Sequence, residues 1–345
     1  CETLITSIID PVRRRTLEAE GEVDFCHAVP GVGRYRANAF RQRKGMCATF
    51  RCIPNIPPTF ADLRLPGQLT ELLDFHQGLI LVTGPAAGGK STTLAAIINL
   101  INETKSDHII TLEDPIEFVH PAKSSLVNQR EVGRHTGSFA RALRAALRED
   151  PDVIMVGELR DLETISLAIS ASETGHLVIG SMNTSSAHKT IDKVIDSYPA
   201  AQQNQIRAML GESLKAVFSQ RLLPRADGQG MALAYELLLG STQLANLIKD
   251  GKTFQIPNIM QMGKSQGLRT MDDSLAELLK AGTISLETVH KNALNVKAFP
   301  PLPAAAPAAA ATPAGAPAAP PRPAGPGAPA PGAPRPPAPA GAAAS

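Results

Sequence analysis

Apolar and polar residues alternate with a period of two over Val23–Val29, Arg34–Phe40 and Cys47–Ile53, and Pro30-Gly31 and Lys44-Gly45 break the runs. This pattern predicts three short strands of an antiparallel sheet. They fall in a candidate N-terminal domain, 1–55, followed by a proline-punctuated linker, 56–68, with Pro57-Pro58 and Pro66-Gly67. From 69 onward the pattern changes. Short β-branched runs at Leu79–Thr83, His108–Leu112, Val153–Gly157 and His176–Ser181 alternate with helical periodicity near 90–103, 138–149, 161–173 and 186–196. Alternation of that kind predicts βαβ units and a parallel sheet, hence an α/β domain over 69–297. Residues 202–297 carry amphipathic helical patterns and are read as a helical subdomain beside the sheet. Phe299 opens a stretch of nearly pure Ala, Pro and Gly with no acidic residue. Such a segment has little to bury, so 298–345 is expected to be a disordered tail.

Composition narrows the function classes. Lys plus Arg number 34 against 32 acidic residues, a net charge of +2. A nucleic-acid binder relying on phosphate neutralisation carries a larger basic surplus, so no nucleic-acid partner is expected. No apolar run reaches the ~18–20 residues that span a bilayer, so direct membrane insertion is not expected. Cys1, Cys26, Cys47 and Cys52 contain no C-x-x-C pair and read as reduced structural thiols. No signal peptide is apparent, and a start at Cys1 suggests missing N-terminal sequence.

Chemistry concentrates at three places. Gly84-Pro85-Ala86-Ala87-Gly88-Gly89-Lys90-Ser91 fits G-x-x-x-x-G-K-[ST], lies between a predicted strand and a predicted helix, and runs on into Thr92. Glycines there let backbone N–H groups wrap phosphates, Lys90 reaches the terminal phosphates of ATP, and the Ser91 hydroxyl is a ligand for Mg²⁺. Asp152-Val153-Ile154-Met155-Val156-Gly157-Glu158 supplies a buried strand ending in an acid, and Glu158 is the candidate Mg²⁺-side carboxylate. Asp152 sits at the far end of that strand and reads as a cap. Arg160-Asp161 fits either a turn ion pair capping the next helix or a phosphate sensor. Glu113-Asp114-Pro115-Ile116-Glu117 crowds three carboxylates after a strand, which suits an attacking water and a metal or, otherwise, a solvated loop.

The segments GPAAGGKSTTLAA, HIITLEDPIEFVH, LVNQREVG, ALRAALREDPDVIMVGELRDLETI and ETGHLVIGSMNTSSAHKTID resemble, in order and spacing, the Walker A, Asp box, Walker B and His box of the type II/IV secretion ATPases. The chain is most similar to the pilus-retraction (PilT) branch over residues 1–297. The resemblance implies a RecA-like P-loop domain with a helical C-terminal part, preceded by a truncated PAS-like N-terminal domain. It implies an ATP- and Mg²⁺-dependent homohexameric motor for type IV pilus retraction and twitching motility. It further implies a cytoplasmic subunit docked on a pilus platform protein of the inner membrane, with paralogous pilus ATPases as candidate partners. By the family pattern Glu117 polarises the attacking water, Glu158 is the Walker B acid, and His176 belongs to a phosphate-sensing His box. Arg34, Arg36 and Arg51 match its arginine-bearing strands and are finger candidates.

Two stretches depart from the family pattern: Ala86-Ala87-Gly88 replaces the usual Thr-Gly-Ser, and Met182-Asn183-Thr184 replaces Leu-His-Thr. Two features point to the retraction branch, the first being that the C-x-x-C zinc insertion of extension and secretion ATPases is missing. Gln243–Asp250 resembles the retraction motif AIRNLIRE with Ala245 in place of arginine. The loss of the second His-box imidazole supports a second reading, a weakly hydrolysing regulatory paralogue.

Overall fold

The structure, a computed structural model, describes residues 2–54 and 56–302. Most of the expected tail, 303–345, lies outside the described residues.

The N-terminal part contains α1 (Glu2–Ile8), α2 (Pro11–Glu20), β1 (Glu22–Val29), β2 (Gly33–Gln42) and β3 (Gly45–Ile53). The Asp10 carboxylate accepts the N–H groups of Val12 and Arg13 to start α2, with Pro11 at its first position. Gly21 ends the helix at φ 84°, a left-handed conformation that glycine adopts without a Cβ clash. The strands pair antiparallel in the order β1-β2-β3. Their alternation sends Val23, Phe25, Ala37, Ala39 and Met46 into one core with Ile5, Ile9 and Leu17 of the helical segment.

The segment read as linker is more ordered than its prolines suggest. It holds a one-turn helix, α3 (Phe60–Leu63), closed by a reciprocal Thr59/Asp62 capping box, and leads into α4 (Gln68–Leu72).

The larger part runs β4 (Gly78–Thr83), α5 (Lys90–Thr104), β5 (His108–Glu113), β6 (Leu126–Glu131), α6 (Phe139–Ala146), β7 (Val153–Val156), α7 (Leu162–Glu173), β8 (Leu177–Met182), α8 (Ala187–Asp196), α9 (Ala200–Ser213), β9 (Leu214–Pro224) and β10 (Met231–Leu239). The strands form one seven-stranded sheet in the order β10-β9-β4-β8-β7-β5-β6, parallel throughout except for β10. Successive residues face opposite sides. Leu79, Leu81, Ile154 and Val156 pack with α6 to α9, while Ile80, Val82, Val153 and Met155 pack with α5. Both faces are covered, as a parallel sheet requires. A mainly helical end follows with α10 (Thr242–Lys249), α11 (Ile256–Met262), α12 (Met271–Lys280) and α13 (Leu286–Asn292).

The helical end therefore starts later than the sequence pattern places it, because 214–239 supplies two strands of the sheet. LKAVFSQRLLP and MALAYELLL are apolar on most positions, and a fully buried run has no period that separates strand from helix. β6, LVNQRE, is an edge strand too polar to stand out.

Candidate nucleotide site

Strand order, not chain order, assembles the site. β4, β8, β7 and β5 lie side by side and point the same way, so the loops after them line one edge of the sheet about 5 Å apart. Along that edge come the Gly84–Lys90 loop, Asn183, Glu158 and the 113–117 segment. Lys90, Ser91, Glu113, Asp114, Glu117, Glu158, Arg36 and Asn183 line a cleft of about 240 Å³. An adjoining cleft of about 360 Å³ shares Arg36, Lys90, Ser91 and Glu117 and adds Arg51, Ile53, Pro54, Ala87–Gly89, Thr92 and Leu222.

The loop after β4 is shaped by its backbone. Gly84 has φ 150°, and a Cβ there would stand 2.3 Å from the Gln220 carbonyl oxygen, so only glycine fits. Ala87 takes the left-handed φ of 59°, a strain of about 1 kcal/mol for a residue with a Cβ. Gly88 is tied down by Gln220, whose amide donates to the Gly88 carbonyl (2.6 Å) while its oxygen accepts from the Thr93 hydroxyl (2.8 Å). Gly89 at the start of α5 provides no side-chain cap, leaving the first helical N–H groups to face a ligand. The Lys90 ammonium donates to the Gly84 and Pro85 carbonyls (3.0 and 2.9 Å). Burial holds its pKa below the ordinary lysine value, with the Glu158 charge working the other way.

Glu158 follows β7. Its two oxygens have one partner each, the Asn183 amide (2.5 Å) and the exposed Arg160 guanidinium (2.6 Å). Arg160 thus pairs with Glu158, while the Asp161 side chain caps α7 by accepting from Thr164 N–H (2.8 Å). Asp152 sits at the other end of β7 and accepts from His108 N–H (2.8 Å), a strand-end contact. His120, buried in the wall of the same cleft, receives no partner at Nδ1 among the described residues, and its imidazole is pushed down to about 4 by burial and Lys123.

The arginines divide. Arg36 donates to Glu117 Oε1 (2.6 Å), Arg34 donates to the carbonyls of Ile116 (2.9 Å) and Glu117 (3.3 Å), and Arg51 is exposed on the wall of the larger cleft. His176 requires a correction. It precedes β8, its backbone carbonyl accepts from Gly78 N–H at the start of β4, and its ring contacts the Ala171 carbonyl. Six residues of strand at about 3.3 Å each put it some 20 Å from the phosphate edge, so it has no part in the cleft. The box's other position, Asn183, is the one that faces the site. Nothing in the sequence marks Gln220, which lies on β9 within the stretch whose pattern reads as helical.

Glu113 gives the site a pH signature. Burial pushes its carboxyl up to about 7, the nearby Glu117 charge adds to this, and hydrogen bonds from Thr111, Gln129 and the Glu117 backbone oppose it. A carboxyl that holds its proton better folded than unfolded contributes stability fully below about pH 4.5 and loses it as pH rises toward 7. Glu113→Gln keeps an acceptor for Thr111 and Gln129 and cannot ionise. Because the side chain is only partly buried, the variant is expected to gain on the order of 1–2 kcal/mol relative to the native chain between pH 5 and 8. Urea unfolding at the two pH values checks this, and parallel pH slopes would refute it.

A family model described as type II/IV secretion system protein matches residues 63–293. The chain is 48% identical over 85% of its length to a twitching motility protein of Neisseria gonorrhoeae, covering 78% of that protein. It is 49% identical to the type IV pilus retraction ATPase PilT of Pseudomonas aeruginosa, over 84% of each chain. A crystal structure of the pilus retraction motor PilT with bound ADP superposes with a TM-score of 0.80 at 50% identity, covering 86% of this chain and 85% of that one.

Proposed function

Because the chain belongs to the type II/IV secretion system protein family, we propose that it is an ATP-hydrolysing motor subunit that powers type IV pilus retraction. The observation that carries this reading is the convergence of Lys90, Glu158 and the Glu117–Arg36 pair on one cleft at the edge of the sheet. Residues 84–92 bind the phosphates. Residues 69–297 form the ATPase domain, and 1–55 an N-terminal domain whose Arg34, Arg36 and Arg51 bring positive charge to the nucleotide from outside that domain. The working form is a homohexamer on an inner-membrane pilus platform protein, in the cytoplasm. Paralogous pilus ATPases are further partners. Among the described residues no helix is long and apolar enough to cross a membrane.

The donor chemistry fits Mg²⁺. The Ser91 hydroxyl and the Glu158 carboxylate are hard oxygens lining the same cleft, and among the described residues no cluster of three His, Cys, Asp or Glu builds a protein-only metal cage. Two protein oxygens with phosphates and waters completing the shell are typical of this ion. When bound, it neutralises charge on the transferring phosphoryl group.

Hydrolysis then follows from the side chains. Glu117 accepts the proton of a water that attacks the γ-phosphorus; the new P–O bond forms as the bond to the β-bridging oxygen breaks and ADP leaves. Arg36 occupies the Glu117 carboxylate. A γ-phosphate carries more charge and draws that guanidinium to itself, freeing Glu117 as base and placing a cation where charge develops.

Asn183 favours attention to the second reading. It donates to Glu158 as a neutral amide, where the family pattern has an imidazole that can carry charge. Exchanging a charge-assisted for a neutral hydrogen bond costs roughly 1–2 kcal/mol, about 5- to 30-fold in rate. The native chain is therefore expected to turn ATP over slowly. Asn183→His is expected to turn over faster, by a margin that grows as pH falls from about 8 to 6.5. Steady-state turnover of both proteins, with light scattering to read the ring, tests this. No turnover in either protein would leave the regulatory paralogue as the reading to keep.

A further inference from the structure

The segment that carries Glu117 has no regular structure, yet its backbone is held on both sides. The Ile116 N–H donates to Glu131 Oε2 (3.0 Å), and the Ile116 carbonyl accepts from Arg34 of the N-terminal sheet (2.9 Å). The other oxygen of Glu131 accepts from the Arg13 guanidinium, and Arg13 belongs to α2 of the N-terminal part. Both side chains are desolvated, Glu131 5% and Arg13 12% exposed. A carboxylate so deeply buried is stable only with a partner cation, so Glu131 holds Arg13 firmly.

Arg13 in turn is fixed by its own surroundings. It donates to Asp10 Oδ2 (3.0 Å) and lies 5.8 Å from the ring centroid of Phe25, which is 1% exposed at the heart of the N-terminal core. At the other end, Glu131 closes β6 directly opposite Glu113 of β5, and its N–H donates to His135 Nδ1 (2.9 Å). A continuous path of buried contacts runs from the N-terminal core through Arg13 and Glu131 to the Ile116 peptide. The next residue is Glu117.

We propose that Glu131, partnered by Arg13, is a positioning residue for Glu117, and that it makes the aim of this carboxylate depend on the placement of the N-terminal part. The proposal rests on the reading of Glu117 as the water-activating carboxylate. It adds a pair on no phosphate-binding element. A shift of about 1 Å in a catalytic group can cost as much as 100-fold in rate, so loosening this peptide acts on turnover while leaving the phosphate contacts of Lys90 and Ser91 in place.

Glu131→Gln in the full chain keeps an acceptor for Ile116 N–H and removes the charge that holds Arg13; Arg13→Lys keeps the charge and removes the planar fork. Each is expected to lower kcat about 5- to 50-fold with KM and affinity for a non-hydrolysable ATP analogue within about threefold of native. In a Glu117→Gln background Glu131→Gln is expected to change the residual turnover less than about twofold, since the group it aims is gone. A merely structural role predicts a different result: the same fractional loss in both backgrounds, tracking a fall in melting temperature and nucleotide affinity. That result overturns the proposal, as does native-like kcat in either folded variant. If Glu131→Gln does not fold, Arg13→Lys alone decides by the same criteria. A native chain that turns over no ATP overturns this proposal and the motor reading together, whereas native turnover with unchanged variants overturns only this one.

Discussion

Lys90→Ala is expected to lose ATP binding, with affinity for a non-hydrolysable analogue falling by about 100- to several-thousand-fold. The ammonium leaves the first turn of α5 and lies over the loop whose backbone curls between Gly84 and Gly89, with its hydrogens on the Gly84 and Pro85 carbonyls. Those carbonyls are weak acceptors beside a terminal phosphate, so the same side chain turns to the ligand at little cost. Each hydrogen bond between ionised groups contributes about 1.5–3 kcal/mol, and two of them account for the loss. The fold is expected to survive, because both carbonyl contacts lie in a part-exposed loop. Calorimetric titration, with melting temperature alongside, checks this; near-native affinity in a folded variant would remove the phosphate-binding assignment from 84–91.

The second large effect is expected at Glu117. Glu117→Gln preserves the size of the side chain and an oxygen to accept from Arg36, but its amide takes no proton. Positioned general bases contribute about 10²–10⁴ in rate, so turnover is expected to fall by that factor with analogue affinity within a few-fold of native. Binding without hydrolysis separates this residue from Lys90, whose loss removes both. The same measurement distinguishes Glu117 from Glu113 and Asp114 in the carboxylate cluster. Glu113 is engaged by Thr111 and Gln129, and its carboxyl is raised toward neutrality by burial. Glu117 is the acid of the three that meets an arginine across the cleft. Turnover within about threefold of native in Glu117→Gln would assign the base elsewhere in the cluster.

The parts of this site that could be read directly were those whose function is local. In Gly84–Ser91 every required property lies within eight positions: glycine where φ is positive, a lysine that opens a helix, a hydroxyl beside it. β4, β5, β7 and β8 were legible because each is a short apolar run followed at once by a polar turn, and in a parallel sheet those turns share an edge. The His box shows the limit of such reading. His176 and Asn183 stand seven positions apart in one segment, and nothing in their spelling says which end of β8 faces the cleft; strand direction decides it, and it selects Asn183.

The amino-acid sequence by itself determined the glycine-lysine loop, the strands that feed the site and the candidate acids at their ends, since backbone freedom, charge and apolar runs are properties of neighbouring residues. Only the tertiary structure decided that 214–224 is an interior strand whose Gln220 braces the loop, and that Arg34 and Arg36 directly, and Arg13 through Glu131, reach the 116–117 segment. Those pairs lie tens to more than a hundred positions apart. A contact across such a distance depends on the lateral order of the strands and on where the N-terminal sheet rests, and neither is written in any local period.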